Sequence, residues 1–333
     1  MNTKSGIRVK ESLTNFLLAN KVVVIVIVLG IVMSIASPNF LTVRNLSNIF
    51  RQISMSAIIG LGFTVVVASG GLDLSVGTML GLVGVVMAKV SLIDGVPIYL
   101  TLIIGVLFGG FLGYFNGFLS TVFKLDAFIV TLATQMIFKG ATYLVCGNDS
   151  IGNLSDEVKF FGQGHIGVVP VPLIILIIVG VVIAVILYRT EFGRHAIATG
   201  GNAQAARVSG INVNRVRRGV FALMGVCAAI AAIIMNGRLG SAQQTAGQGM
   251  EMDAIAAVVL GGTSLAGGKG NIFGTILGCL VVGMINNGLN LAHVDTNWQI
   301  ASKGILIILA ILLDSQTDVL LKKVKMRKSR IDK

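Results

Sequence analysis

Ten apolar runs succeed one another along the chain, at about residues 22–36, 53–69, 78–93, 97–123, 127–146, 170–188, 219–236, 254–266, 273–292 and 298–313. A helix crosses a bilayer with about 20 apolar residues. Backbone in lipid must satisfy its own N–H and C=O groups, which leaves helices and closed barrels as spanning structures. Runs of this length predict helices, so the chain reads as an all-α polytopic membrane protein of about ten transmembrane helices. The runs at 78–93 and 254–266 are short for a full crossing and are expected to be broken or re-entrant. Composition agrees: 12 % of residues are charged, about half the share usual in soluble domains. The 42 glycines suit a bundle whose helix backbones approach closely.

The net charge of +12 is not spread evenly. Residues 1–21 carry four Lys/Arg and Glu11, residues 189–218 carry six arginines and Glu191, and residues 322–333 carry seven basic residues and Asp332. All three stretches flank apolar runs, as cytoplasmic segments do under the positive-inside rule. Counting crossings from a cytoplasmic N-terminus returns both 189–218 and the C-terminus to the cytoplasm. The charge therefore encodes topology, and no nucleic-acid partner is expected. The first run ends in Ser37-Pro38-Asn39-Phe40, without a small-residue cleavage site, and reads as an uncleaved span. The expected organisation is a basic N-terminal segment (1–21), one membrane domain (22–314) with a cytoplasmic loop at 189–218, and a basic cytoplasmic tail (315–333).

Several chemistries find no support. His165, His195 and His293 fall in three different loops with no Cys or carboxylate at ligand spacing, so no metal is expected. The three cysteines suggest no disulfide framework. The glycine-rich stretch Gly261–Gly270 fails the phosphate-loop register, because Thr263 stands where its first glycine belongs and Gly270 where Ser/Thr belongs. No nucleophile or metal constellation supports an enzyme. No cofactor is expected in this chain.

Polar groups inside apolar spans are the default functional candidates, since each costs free energy there. The expected substrate path comprises Asp73, Asn116, Gln135, Asn286, Asn287 and Asn290. Asp73 lies in Gly70-Gly71-Leu72-Asp73-Leu74-Ser75-Val76-Gly77, where paired glycines let the helix break and Ser75 is placed to cap the next one. Asp73 reads either as a structural cap or as a group acting in solute passage. The amides read either as bonds between helices or as donors and acceptors for a neutral hydroxylated solute. Lys139 and Lys303 are charges within spans, without assignable partners. In the loop, Asn202 is placed to cap a short helix over 203–209 and Gly210 to stop it. Its alanine-rich surface suits docking into a groove of another protein.

These segments together resemble the permease subunits of ribose-type ABC sugar importers. The resemblance rests on Gly70-Gly-Leu-Asp-Leu-Ser-Val-Gly77, on Ala127-Phe-Ile-Val-Thr-Leu-Ala-Thr134 and on the 190–213 loop. Gly249-Met-Glu-Met-Asp-Ala-Ile-Ala-Ala-Val-Val-Leu-Gly-Gly-Thr-Ser-Leu265 and Asn287-Gly-Leu-Asn290 extend it. One departure is Asp126, where members often have proline. The resemblance implies a multi-pass permease of the bacterial cytoplasmic (inner) membrane, working as a homodimer or with a paralogous permease. Its implied partners are an external sugar-binding protein and a cytoplasmic ATP-binding subunit whose two nucleotide sites hold ATP and Mg. It makes Glu191, Gly193, Arg194, Gly200, Asn202, Ala205, Ala206, Ser209 and Gly210 the ATPase-coupling loop. The implied function is import of a monosaccharide, ribose first, by alternating access. The competing expectation is a stand-alone secondary transporter for a small polar solute.

Overall fold

The computed structural model describes residues 21–305 apart from 148 and 296, together with 308 and 312. The basic stretches expected at 1–21 and 315–333 lie outside the described residues, Lys21 excepted.

The fold is built of helices: α1 (Lys21–Ala36), α2 (Val43–Ala68), α3 (Val76–Ser91), α4 (Ile98–Val122), α5 (Ala127–Cys146), α6 (Asp156–Gln163), α7 (Val171–Arg189), α8 (Glu191–Gly201), α9 (Ala203–Val208), α10 (Val213–Leu239), α11 (Met250–Leu260) and α12 (Ile272–Leu291). Residues 297–305 are helical as well. The sole sheet among the described residues is a two-residue hairpin, β1 (His165–Ile166) against β2 (Val169–Pro170). Six helices (α2, α4, α5, α7, α10 and α12) are long and apolar enough to cross a membrane. The chain is a polytopic helical membrane protein.

Most boundaries fall within a few residues of the apolar runs, and α5 coincides with its run. α2 is the main exception. It starts at Val43, ten residues before the run at 53–69, because its first turns carry Arg44, Asn45 and Arg51 and are polar by hydropathy yet helical. Thr42 caps it by accepting from the Asn45 N–H.

α2 is the axis of the bundle, with Ile58, Ile59, Leu61, Phe63, Val65, Val66 and Val67 fully buried. Around it stand α7, α10, α11 and α12. The outer surface is apolar: Ile35, Leu107, Leu144, Ile178 and Phe273 are well exposed. In water this would be an aggregation surface; in a bilayer it is the lipid contact. The polar side chains turn inward. Thr64 and Thr275 share a hydroxyl–hydroxyl bond of 2.6 Å between α2 and α12.

The tightest pairing joins α4 to α10, and it rests on absent side chains. Gly105, Gly109, Gly113 and Gly117 recur every fourth residue on one face of α4. A Cβ at Gly113 would strike the Phe221 carbonyl oxygen, and one at Gly109 would meet the Gly225 carbonyl and, at 2.8 Å, the Ala229 methyl. Small residues at this spacing let two membrane helices pack backbone to backbone.

This geometry predicts opposite outcomes for two glycines in neighbouring helices. Gly113→Val should destabilise the protein by about 3 kcal/mol or more, because the obstructing atom is backbone and cannot rotate away. Gly140→Val on α5, with no atom within 4 Å of the added Cβ, should be neutral. Thermal melting in detergent reads both.

Candidate functional site

Two helices begin inside the bundle rather than at its ends, and their breaks meet. At about 1.5 Å per residue the 16-residue α3 rises about 24 Å and the 11-residue α11 about 16 Å, short of the roughly 30 Å apolar core. Each is completed by non-helical chain, which at that depth has to be buried in protein.

The first break follows α2. Gly70 turns the chain at φ 80°, a conformation side chains disfavour. Asp73, fully buried, then organises the turn into α3. Its Oδ1 accepts from the Ser75 N–H at 2.9 Å and from the Ser75 hydroxyl at 2.6 Å. Asn116 Nδ2 on α4 donates to Ser75 Oγ at 2.8 Å, and the Thr131 hydroxyl on α5 donates to the Leu72 carbonyl at 3.3 Å. Ser75 holds the N-cap position as expected, but its hydroxyl makes no cap bond, being committed to Asp73 and Asn116.

The second break precedes α11. After α10 ends at Leu239, Ala242 bridges to Ile151, and the chain then runs back along α3. Asn236 lies at Gly84, Ala246 at Gly81, and Gly247 with Glu251 at Gly77. A Cβ on Gly77 would overlap both the Gly247 carbonyl and the Glu251 carboxylate. The short helix α11 is therefore preceded by a run of turns over residues 243–250, closed by bonds from the Ala246, Gln248 and Met250 N–H groups to the Gln243, Thr245 and Gly247 carbonyls. α11 opens with Glu251 and Asp253 in its first turn, the end where negative charge is favoured by the helix dipole.

Side chains tie the start of α11 to two further helices. Gln135, the ninth of 20 residues in α5, donates from Nε2 to Glu251 Oε1 at 3.3 Å. Lys303 Nζ donates to Asp253 Oδ2 at 2.9 Å, which gives that lysine its partner. Among the described residues no donor meets Asp73 Oδ2, Asn116 Oδ1, Glu251 Oε2, Asp253 Oδ1 or Asn286 Oδ1, all buried. Of these, Glu251 Oε2 and Asp253 Oδ1 lie at the start of α11, beside Gln135 and Lys303.

The expected path residues separate into groups. Asp73 and Asn116 hold the α2–α3 turn, and Gln135 stands at the start of α11. Asn286 is buried on α12, Asn290 is exposed and accepts from Gln299 Nε2 at 3.0 Å, and Asn287 exchanges two 2.9 Å bonds with Asn45 on α2. Asn287 thus has its amide committed to a helix–helix clamp. Lys139 is exposed on α5. Glu251 and Asp253 were not singled out from sequence. Their signal was present: two carboxylates one residue apart at the mouth of an apolar run.

The 190–213 loop folds as α8 and α9. Thr190 caps α8, Asn202 Oδ1 caps α9 from the Gln204 and Ala205 N–H groups, and Gly210 at φ 85° ends it. Glu191, Arg194, Asn202, Ala205, Ser209 and Gly210 are exposed. Gly193 packs under the Ile186 and Leu187 carbonyls. Ala206, by contrast, is 5 % exposed and part of the inner face. Gly200 rests directly on the Ala68 carbonyl, which also accepts from the Gly268 N–H at 2.9 Å. Gly70 and the pair Gly267–Gly268 therefore lie at the same end of the bundle, against α8. The contact between α8 and the start of the α2–α3 turn is made by backbone alone.

Comparison with known proteins shows the family. A family model described as branched-chain amino acid transport system / permease component matches residues 45–311. The chain is 44 % identical to the ribose import permease protein RbsC of Bacillus subtilis (strain 168) over 289 residues, 86 % of this chain and 89 % of that protein. It is 41 % identical to the ribose import permease protein RbsC of Escherichia coli (strain K12) over 305 residues, 90 % and 95 % of the two chains. It is 42 % identical to the D-allose transport system permease protein AlsC of the same strain over 292 residues, 87 % and 89 %. No solved structure matches. The chain belongs to the ribose/xylose-type family of ABC sugar permeases, as a multi-pass transporter component of the inner membrane rather than a catalyst.

Proposed function

We propose that this chain forms the translocation path of an ATP-driven importer of a monosaccharide, with ribose as the sugar. The observation that carries the reading is the mid-depth seam of broken helices, linked by backbone contact to an exposed docking helix. Discontinuous helices with polar groups at their breaks are a recurrent way to build a solute site within a membrane. The relatives' names supply the sugar.

In this reading the chain crosses ten times. The described elements complete six long crossings, and α1, α3, the turn-rich stretch with α11, and the helix at 297–305 supply the other four. Both termini are cytoplasmic, and so are α8 and α9. A cytoplasmic subunit with two nucleotide sites binds ATP and Mg. It seats on the exposed face of α9, where Ala205 and Val208 project. A sugar-binding protein docks on the outer side near α6. A second permease, a copy or a paralogue, completes the path.

Closure of the ATPase presses α9 and α8 against Gly70 and Gly268. Because Gly200 meets Ala68 with no side chain between, the push moves the α2–α3 turn. Asp73, Ser75 and Asn116 keep that turn one rigid unit, so α3 shifts against α11 and re-packs the seam around Gln135 and Glu251. Asn290 lies on the exposed flank of the same path. Asn287 stays a clamp and contributes stability instead of contact with sugar.

Two variants test the scheme in reconstituted complex. Ala205→Glu, on the exposed face, should leave the protein folded in the membrane while ribose uptake falls at least about tenfold relative to ATP hydrolysis; wild-type uptake per ATP would remove the coupling role. Gln135→Leu should lower uptake by a similar factor at unchanged melting temperature, because the lost group belongs to the path. Unaltered uptake with a lowered melting temperature would make Gln135 a packing residue.

A further inference from the structure

We propose that the mouth between α4, α8 and α10 is a binding site for an anionic phospholipid. It rests on the orientation given above, which puts this end of the bundle in the cytoplasmic leaflet. An open cavity of about 660 Å³ there is lined by Tyr114, Phe192, Asn214, Arg215 and Arg218 among others, with no acidic residue in its described wall.

Its cationic side chains are only partly committed. Arg218 donates from Nε to the Thr121 hydroxyl at 2.7 Å and stacks 5.4 Å over the Phe118 ring, and its terminal nitrogens bond no described residue. Arg215 is exposed, and its side chain bonds no described residue. It sits in the first turn of the 27-residue α10, whose free N–H groups add positive potential. Asn212 caps that turn through the Arg215 N–H at 3.0 Å, which fixes where Arg215 leaves the backbone. Basic pockets between membrane helices on this side are the usual form of acidic headgroup sites.

The second observation is the apolar surface above the cavity. Leu107, Phe111, Tyr114 and Phe118 occupy one face of α4 and are 68 %, 60 %, 43 % and 37 % exposed. Tyr114 and Phe118 stack with ring centroids 6.4 Å apart. Phe111 stands eleven residues from the end of α4, about 16 Å up the helix. A soluble partner or a free phosphate reaches the arginines but not that stripe. A lipid reaches both, with its phosphate between Arg215 and Arg218 and an acyl chain along the aromatic face. Gly219, where a Cβ would come within 2.8 Å of the Phe192 ring, lets that ring pack directly on α10 and form one side of the cavity.

The test is phospholipid retention by the intact transporter complex, taken from nanodiscs of mixed phosphatidylglycerol and phosphatidylcholine and read by native mass spectrometry. The wild type and Arg215→Lys should retain phosphatidylglycerol in preference to phosphatidylcholine. Arg215→Gln should lose about fivefold of that preference, the factor expected for one cation at a membrane surface. Tyr114→Ala should lose part of it at unchanged charge. Equal retention by wild type and Arg215→Gln would overturn the proposal. So would displacement of the lipid by inorganic phosphate, which would mark a simple anion site, or efficient disulfide formation between two copies carrying Tyr114→Cys, which would mark a protein interface.

Discussion

The contact of Gly77 with Gly247 and the Glu251 carboxylate sets the terms for the rest of the molecule. Two stretches of non-helical backbone, 69–75 and 240–249, run inside a structure surrounded by lipid, where each unpaired N–H or C=O costs several kcal/mol. They persist because other protein encloses them: α4 and α5 bond the first through Asn116 and Thr131, and α3 covers the second. A side chain at position 77 would hold the two breaks apart and open both to lipid. Placing the breaks side by side gathers Gln135, Glu251, Asp253 and Lys303 at one depth. Polar chemistry in the middle of the membrane is thus a consequence of how the backbone is satisfied.

The same economy of side chains explains how force can travel. From α9 through α8 to the α2–α3 turn, the contacts run from Gly200 to Ala68 and from Gly267 to Gly200, with backbone on both sides. Such contacts do not yield by rotamer change, and the proposed scheme uses this to carry a small displacement from α9 to the α2–α3 turn. α4 and α10 are locked by glycines in the same manner and form a wall beside α3. The basic cavity at the foot of that wall would tie it to the lipid.

Much of this was legible in the sequence. The apolar runs mark a polytopic helical membrane protein because hydropathy is what lipid reads, and six of them coincide with helices long enough to cross; α9 with its Asn202 cap and Gly210 stop follows from local backbone chemistry. The start of α2 was missed because Arg44, Asn45 and Arg51 look like loop, whereas tertiary contact, including the Asn45–Asn287 amide pair, makes them helix. The re-entrant stretch before α11 was hinted at only by the shortness of the run at 254–266. What covers it is α3, more than 150 residues earlier, and no local pattern carries that pairing. Glu251 and Asp253 stood in plain view, but their meaning depends on Gln135 and Lys303, which lie on other helices.

The account stands or falls on whether this chain moves sugar only as part of an ATP-driven assembly. The direct measurement is accumulation of labelled ribose in proteoliposomes containing the permease, with and without an ATP-binding subunit and an external binding protein of the same system. The account predicts uptake against a gradient that requires ATP and both partners and is absent for the permease alone. Uptake by the permease alone, driven by an ion gradient, would contradict it and make the Asp253–Lys303 pair part of a secondary carrier.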